Sequence, residues 1–566
     1  MDCVIGNSYI WSCKGAEKIG VSPWADTLHK MIAFIQFNYK EPIKLEEIAE
    51  AGNVSRSQCC KIFKEIINRS PNDYLVEYRI DKSIDLIMKT DMKMTEIAYE
   101  CGFNGSSYFA ETFKKIVGVS PREYKNKEEE MYYDLTKGKI YKSLLLFALP
   151  MIAGNLLQQF YNIADTLIVG QVLGKAALAA VGSAYTLMTF LTSIFLGLSM
   201  GSGALFSIYQ GKGEDKLLKL SIIHAFVLIM LITVILNVAV YVGIDGIMHF
   251  LRTPEDVYEG MRTYLIIIFS GLFATSLYNF FSCLLRALGN STVPLVFLAV
   301  SAVLNIGLDL LFVMVLSMGI GGAAFATVIS QYVSGVGITI YVLKTRRDLY
   351  SERSQLHFNK NILKEIANLS CLTCLQQSVM NFGILIVQGL VNSFGTTIMA
   401  AFAAAVKIDT FAYLPVQDFG NAYSTFVAQN YGAGNKDRIR KGTKAAFIMS
   451  ISFSIVISLL VWIFAKPLMH IFISKKEVMV IAAGIKYLRI EGAFYFGIGC
   501  LFLLYGYYRA IKKVEMSVVL TVISLGTRVA LAYILSPFIG EIGIWMAIPI
   551  GWALADITGI IYMKKK

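Results

Sequence analysis

Two carboxylates stand where the surrounding sequence leaves no room for charge. Asp165 and Asp309 each fall inside an otherwise uncharged apolar run long enough to cross a bilayer. An ionisable side chain at that depth costs roughly 2.5–3.5 kcal/mol on insertion scales, so each asks for a function. Gln158, Tyr161 and Asp165 share one helical face, seven residues making nearly two turns. Asn305 precedes Asp309 by one turn on the same face. Carboxylates, a carboxamide and hydroxyls are the hard oxygen ligands that a small cation needs, and a carboxylate stripped of water also binds a proton more readily. The chemistry these residues suit is reversible binding of H+ or Na+, with no cofactor and no metal beyond such a Na+.

Other charges interrupt apolar sequence further on. Lys407, Asp409 and Asp418 fall in one run, Arg528 in a later one and Asp556 in the last. Arg528 and Asp556 read as internally ion-paired groups that hold the lobe together. Lys407 and Asp409 fit either internal pairing or a substrate pathway shared with Gln158 and Tyr161. Lys407 and Asp418, eleven residues apart, would share a face if Pro415 did not kink the helix. Cys371-x-x-Cys374 has no second pair and lies in apolar sequence, where Cys is a small hydrophobe. The 22 Met, 35 Phe and 30 Tyr would suit a cavity for flat cations. Most must face lipid or other helices, so Tyr161 alone is singled out. No P-loop, hydrolytic motif or zinc constellation occurs, which argues against an enzyme.

The elements that must position these groups are membrane spans. The 566 residues are 55% apolar and 16% charged, with mean hydropathy +0.57. The first thirty residues carry Asp2, Lys14, Glu17, Lys18 and Asp26 and no apolar core of signal-peptide length. Twelve spans are expected, in the first half near 143–171, 177–208, 218–244, 262–286, 292–316 and 320–343. In the second half they fall near 364–393, 397–428, 443–465, 486–508, 515–537 and 542–563. The halves repeat at an offset of about 222: Leu285-Arg286-Ala287 matches Tyr508-Arg509-Ala510, and Gly211-x-Gly213 matches Gly432-x-Gly434. Six spans per half make the repeats parallel, an arrangement that suits a carrier rocking about a midplane site. Nothing resembles a channel filter. Residues 135–566 hold 34 basic and 19 acidic side chains, and basic loops such as 344–364 and 436–444 place both termini in the cytoplasm.

Residues 140–563 resemble the multidrug and toxic compound extrusion (MATE) family, in its DinF-like branch. The resemblance rests on Pro150, Asn162-x-x-Asp165, Leu285 to Gly289 before Pro294, and Asn305-x-x-x-Asp309. Gly321-x-Ala323-x-x-Ala326-Thr327 and Gln429 to Gly434 complete it. It implies a cation-coupling site at Asp165, Asn305, Asp309 and Thr327, and a hinge in the first span at Pro150. The second half departs from sodium-driven relatives. Gln376 and Gln377 stand where the seventh span often carries Glu, and the tenth span reads as lacking an acid at mid-depth.

Ahead of the membrane part lies a second repeat. Phe63 to Tyr74 matches Phe113 to Tyr124 at an offset of fifty, and Gly52 matches Gly102. Each copy reads as helix, tight turn, helix, with Ser55 and Asn104 as N-caps of the second helices. A helical linker joins the two copies from roughly Asn72 to Lys89. Arg79, Ile97-Ala98, Gly102-Phe103, Tyr108-Phe109, Phe113-Lys114 and Gly118 to Tyr124 make this region similar to the AraC-type DNA-binding domain. The resemblance implies double-stranded DNA as partner, met by Arg56, Ser57, Cys60 and Lys61 from one unit and Ser106, Ser107, Glu111 and Lys114 from the other. Residues 24–127 carry 16 basic and 15 acidic side chains, so phosphate attraction would have to come from segregated charge.

The expected architecture is all-α, a twelve-helix transporter of two six-helix repeats behind a small soluble double helix-turn-helix domain. Its parts are an N-terminal segment 1–23, the DNA-binding domain 24–127 and an acidic linker 128–141. A first lobe 142–345, a linker 346–362 and a second lobe 363–566 follow. The chain is expected in the plasma membrane of a prokaryote, exporting organic cations through the lipid bilayer in exchange for H+ or Na+. Three other readings stay open: a transporter whose head is an adaptor or relic, a membrane-tethered transcription regulator, and a flippase of lipid-linked or peptide cargo.

Overall fold

The computed structural model describes residues 23–90, 92–125, 133–250, 255–349 and 358–565. The N-terminal segment up to residue 22, the Glu128–Glu130 run and Arg353 lie outside the described residues. The chain divides into two compact units that meet between Glu130 and Met131.

The first unit is all-helical: α1 (Ala25–Asn38), α2 (Leu45–Ala51), α3 (Arg56–Ile67), α4 (Pro71–Lys89), α5 (Met94–Glu100) and α6 (Ser106–Val117). Ser55 caps α3, its Oγ accepting from the Gln58 N–H at 3.3 Å. The other expected cap, Asn104, is bypassed. The left-handed turn at Gly102 (φ +79°) and an extended Gly105 carry the chain past it, and α6 begins at Ser106 with no side-chain cap. The helices α3 and α6 end fifty residues apart in left-handed Asn68 and Gly118. Capping contacts at Ser70–Asp73 and Ser120–Glu123 follow each. Arg79 of the linker helix donates to the Tyr39 carbonyl at 2.8 Å and the Glu41 carbonyl at 2.7 Å. A Cβ at Gly102 would lie 2.8 Å from the Lys40 carbonyl oxygen and 3.0 Å from Arg79 Nε. Gly102 and Arg79 therefore fasten the two helix-turn-helix units together.

The second unit holds α7 (Ile140–Val172), α8 (Lys175–Lys212), α9 (Asp215–Val242), α10 (Ile244–Phe250), α11 (Glu255–Phe269), α12 (Leu272–Ala287), α13 (Thr292–Asp309) and α14 (Gly319–Thr345). It continues with α15 (Lys360–Asn392), α16 (Thr396–Gly432), α17 (Lys436–Phe472), α18 (Val478–Gly492), α19 (Tyr495–Ala510), α20 (Val514–Ile539) and α21 (Glu541–Lys564). Among the described residues ten helices are long and apolar enough to span a membrane, and two bent pairs bring the count to twelve. The pairs, bent by 44° and 50°, are the fourth and tenth spans, equivalent places in the two repeats. One buried core draws only on residues from 387 onward, with Trp545 stacked on Phe402, and another only on residues 169–328. These are the cores of two lobes.

At the end where α7 begins, which we call the base, the lobes touch backbone to backbone. Gly211 of α8 meets the Gln429 carbonyl, and Gly432 of α16 meets that of Ile208. Gln429 Nε2 donates to the Ala287 carbonyl at 2.8 Å. A strap of residues 133–139 lies across the same junction. The Tyr133 N–H donates to Gly289 of the first lobe, while Arg438 of the second donates to the carbonyls of Leu135, Lys137 and Gly138.

Candidate cation site and inter-lobe cavity

In the first lobe the three helices α7, α13 and α14 bring together the four expected polar groups. Asp309 is fully buried at the end of α13, where the helix passes into a π-helical turn over Leu310–Val315. Such a turn adds a residue and resets the facing of side chains, a device common at functional sites. The Asp165 and Asp309 carboxyl groups approach within hydrogen-bonding reach of one another. Two ionised carboxylates only accept, so a proton or small cation between them would offset their repulsion. Asn305 Nδ2 points at Thr327 Oγ1 at 3.4 Å, and Thr327 donates to the Ala323 carbonyl at 3.1 Å. Asp165 Oδ1, Asn305 Oδ1 and both Asp309 oxygens are buried with no donor facing them. Buried acceptors are rarely left so, and this set of hard oxygens suits H+ or Na+. Pro150 sits inside α7, which runs through it as one helix.

A second feature lies between the lobes, a cavity of about 250 Å³. Gln158 and Tyr161 line it from α7, whereas Asp165, farther along, does not. Three residues that sequence reasoning left out of the site carry its charge: Arg286 at the end of α12, Arg509 at the end of α19, and Asp418 of α16. Asn155 Nδ2 donates to both Asp418 oxygens at 2.6 and 2.7 Å. Gln377, singled out in the sequence as a replaced acid, also lines the cavity. The available signal was the repeat match of the two arginines.

Lys407 and Asp409 do not line that cavity. Lys407 is exposed on the outer side of α16, its ammonium 6.0 Å from the Phe472 ring. Asp409, two residues on and so turned by about 200°, is buried inside the second lobe. There the Tyr495 hydroxyl donates to it, and Tyr487 reaches both Asp409 and Glu491. Glu491 corrects the expectation that the tenth span lacks an acid at mid-depth: it is buried one residue before the end of α18, beside the bend in the pair that forms this span. Arg528 stands within electrostatic reach of Asp409 and Glu491, its carboxylate partners inside the second lobe. The bend of the tenth span turns Glu491 inward toward α16, and straight-helix reasoning hides this.

In the first unit Arg56, Ser57 and Lys61 are exposed on α3, with Arg56 paired to Glu46 and Lys61 3.9 Å from Glu65. Cys60 is half-buried. On α6, Ser107, Glu111 and Lys114 are exposed and Ser106 is half-buried, with Tyr108 also exposed beside Ser107. The buried faces of both helices, through Phe63 and through Phe109 and Phe113, leave these residues outward.

Comparison with known proteins gives matches for both units. The MatE family profile matches residues 150–311 and 373–534, and a helix-turn-helix domain profile matches residues 48–127. The probable multidrug resistance protein YpnP of Bacillus subtilis is 32% identical over 434 residues, covering 76% of this chain and 96% of its own. The probable multidrug resistance protein NorM of Thermotoga maritima is 25% identical over 428 residues, covering 74% of this chain and 90% of its own. The helix-turn-helix type transcriptional regulator YdeC of B. subtilis is 41% identical over 98 residues, 17% of this chain and 34% of its own. A solved MOP superfamily transporter from Pyrococcus furiosus shares the fold, with a TM-score of 0.72 at 23% identity over 76% of this chain and 96% of that one.

Proposed function

Because the chain belongs to the MatE family of membrane transporters and carries a helix-turn-helix domain ahead of it, we propose that it is a cation-coupled antiporter exporting organic, cationic compounds. H+ or Na+ moving inward through Asp165, Asn305, Asp309 and Thr327 drives cargo outward. The observation that carries this reading is the set of four buried oxygens on Asp165, Asn305 and Asp309 that no protein donor meets. Cation binding there favours one arrangement of the lobes and cargo binding in the inter-lobe cavity the other, which is all that exchange requires. The lobes move as 142–345 and 363–566, Pro150 lets α7 bend as the site loads, and both termini face the cytoplasm. Within the family the DinF-like branch fits best, and the head is of AraC type.

The test is ethidium efflux from everted vesicles under imposed Na+ or H+ gradients, wild type beside Asp309→Asn. Gradient-driven efflux that the variant loses identifies the ion and the site. Efflux equally fast in Asp309→Asn refutes coupling through this group.

The outward faces of α3 and α6 favour a second role, binding of double-stranded DNA by the head through Arg56, Ser57, Cys60, Lys61, Ser106, Ser107, Glu111 and Lys114. Detergent-purified full chain should then shift a DNA fragment in a salt-dependent way. Absence of any shift at low salt rejects DNA binding and with it the tethered regulator.

A further inference from the structure

The charge lining the inter-lobe cavity is the reverse of what a receptor for simple organic cations would need. Arg286, Arg509 and Asp418 are its charged lining residues, two positive and one negative, among carboxamides and hydroxyls. Tyr161 and Tyr278 are its aromatic ones. The single carboxylate is engaged through both oxygens by Asn155. Arg509, 5% exposed, uses Nη2 on Asn421 at 3.0 Å and Nε on Ser424 at 3.3 Å, both neutral acceptors. Arg286 Nε is buried with no acceptor at all. Cys283 stands within electrostatic reach of both guanidinium groups, so the two serve one region of the cavity. Asp418 stands within electrostatic reach of Arg286 but gives both oxygens to Asn155. A guanidinium held in low dielectric with its countercharge out of contact is costly, and its planar fork matches a carboxylate or phosphate.

We propose that the base of the inter-lobe cavity is an anion subsite, where Arg286 of one lobe and Arg509 of the other hold a carboxylate or phosphate group of the cargo. The proposal rests on the export reading and narrows it: the preferred cargo carries an anionic group beside any cationic centre. The two arginines occupy equivalent places in the repeats, one per lobe. An anion between them is gripped from both sides while the lobes are closed at the base. Separation of the lobes there withdraws one guanidinium, so affinity falls with the same motion that opens the path. Cargo release is thereby built into the rocking of the lobes.

A matched dye pair tests this: rhodamine 110, which bears a free carboxylate, and rhodamine 123, its methyl ester. Binding to the purified full chain is read by fluorescence anisotropy, and transport in vesicles under the gradient that the ethidium assay identifies. Wild type should bind rhodamine 110 at least about tenfold more tightly than the ester. That ratio should collapse toward one in Arg286→Gln and recover in part in Arg286→Lys. Equal affinity for both dyes in wild type overturns the subsite. So does a ratio that survives Arg286→Gln while both affinities fall together, the pattern of an arginine that only braces the helix ends. Rhodamine 110 bound but moved under neither gradient would sink the antiport reading and leave the subsite standing. Competition separates the sources of anion: displacement by glycerol phosphate marks soluble cargo, and displacement by short-chain phosphatidylglycerol alone marks a lipid headgroup.

Discussion

Gly432→Ala should open the base of the carrier. Gly432 ends α16 against α8, and a Cβ there would lie 2.9 Å from the Ile208 carbonyl carbon and 3.1 Å from Lys212 N, besides meeting the Ile208 oxygen. Real Cβ atoms essentially never come closer than 3.0 Å, and here the neighbour is backbone, which cannot swing aside. Overpacking of this kind costs about 1–3 kcal/mol, and a backbone partner puts it near the upper end. The gain of about 1 kcal/mol in helix propensity applies to either arrangement of the lobes and cancels. A penalty of about 3 kcal/mol on the closed base shifts the balance roughly 150-fold toward arrangements with the base parted. Spin labels at the exposed Lys212 and Lys436, read by double electron–electron resonance, report the gap. Wild type should give mainly the short distance and the variant mainly a longer one, with Gly211→Ala adding to it. An unchanged distance distribution in a well-folded variant would refute the claim that backbone contact at these glycines holds the base shut.

Three further outcomes are expected. Arg438→Gln removes the donor to three strap carbonyls, so trypsin should cut at Lys137 and Lys139 about tenfold faster; unchanged cleavage means the strap is held by Leu135 burial instead. Gly102→Ala must place a Cβ at φ +79° against the Tyr39 and Lys40 carbonyls, costing at least about 1–2 kcal/mol. Amide exchange in the full chain should then quicken over 94–117 and not in the carrier, and uniform protection would count against the turn. Burial pushes the Cys59 thiol up to about 11 and Cys101 up to about 12. Since the thiolate is what reacts, maleimide at pH 7.5 should modify Cys60 ahead of both, and their labelling should rise only as pH nears those values. Early modification of Cys59 or Cys101 would show that the head opens under those conditions.

Much of this protein is decided before it folds. The repeats at fifty and about 222 residues, the spans, and the two lone carboxylates at Asp165 and Asp309 follow from the chain alone. Periodicity and length specify helices locally, and a charge in an apolar run is costly whatever surrounds it. What each helix turns toward is another matter. Lys407 and Asp409 are two residues apart, yet one faces outward and the other lies within the lobe, because rotation of α16 is set by its packing partners. Glu491 is hidden by the bend between α18 and α19, which no spacing rule registers. The pairing of Asp418 with Asn155 spans 263 residues, and Arg286 and Arg509 share a cavity from opposite lobes. Residues so far apart are brought together only when whole helices dock. The sequence therefore determined what the elements are and where charge is unusual, and the docking of two lobes decided which of those charges meet.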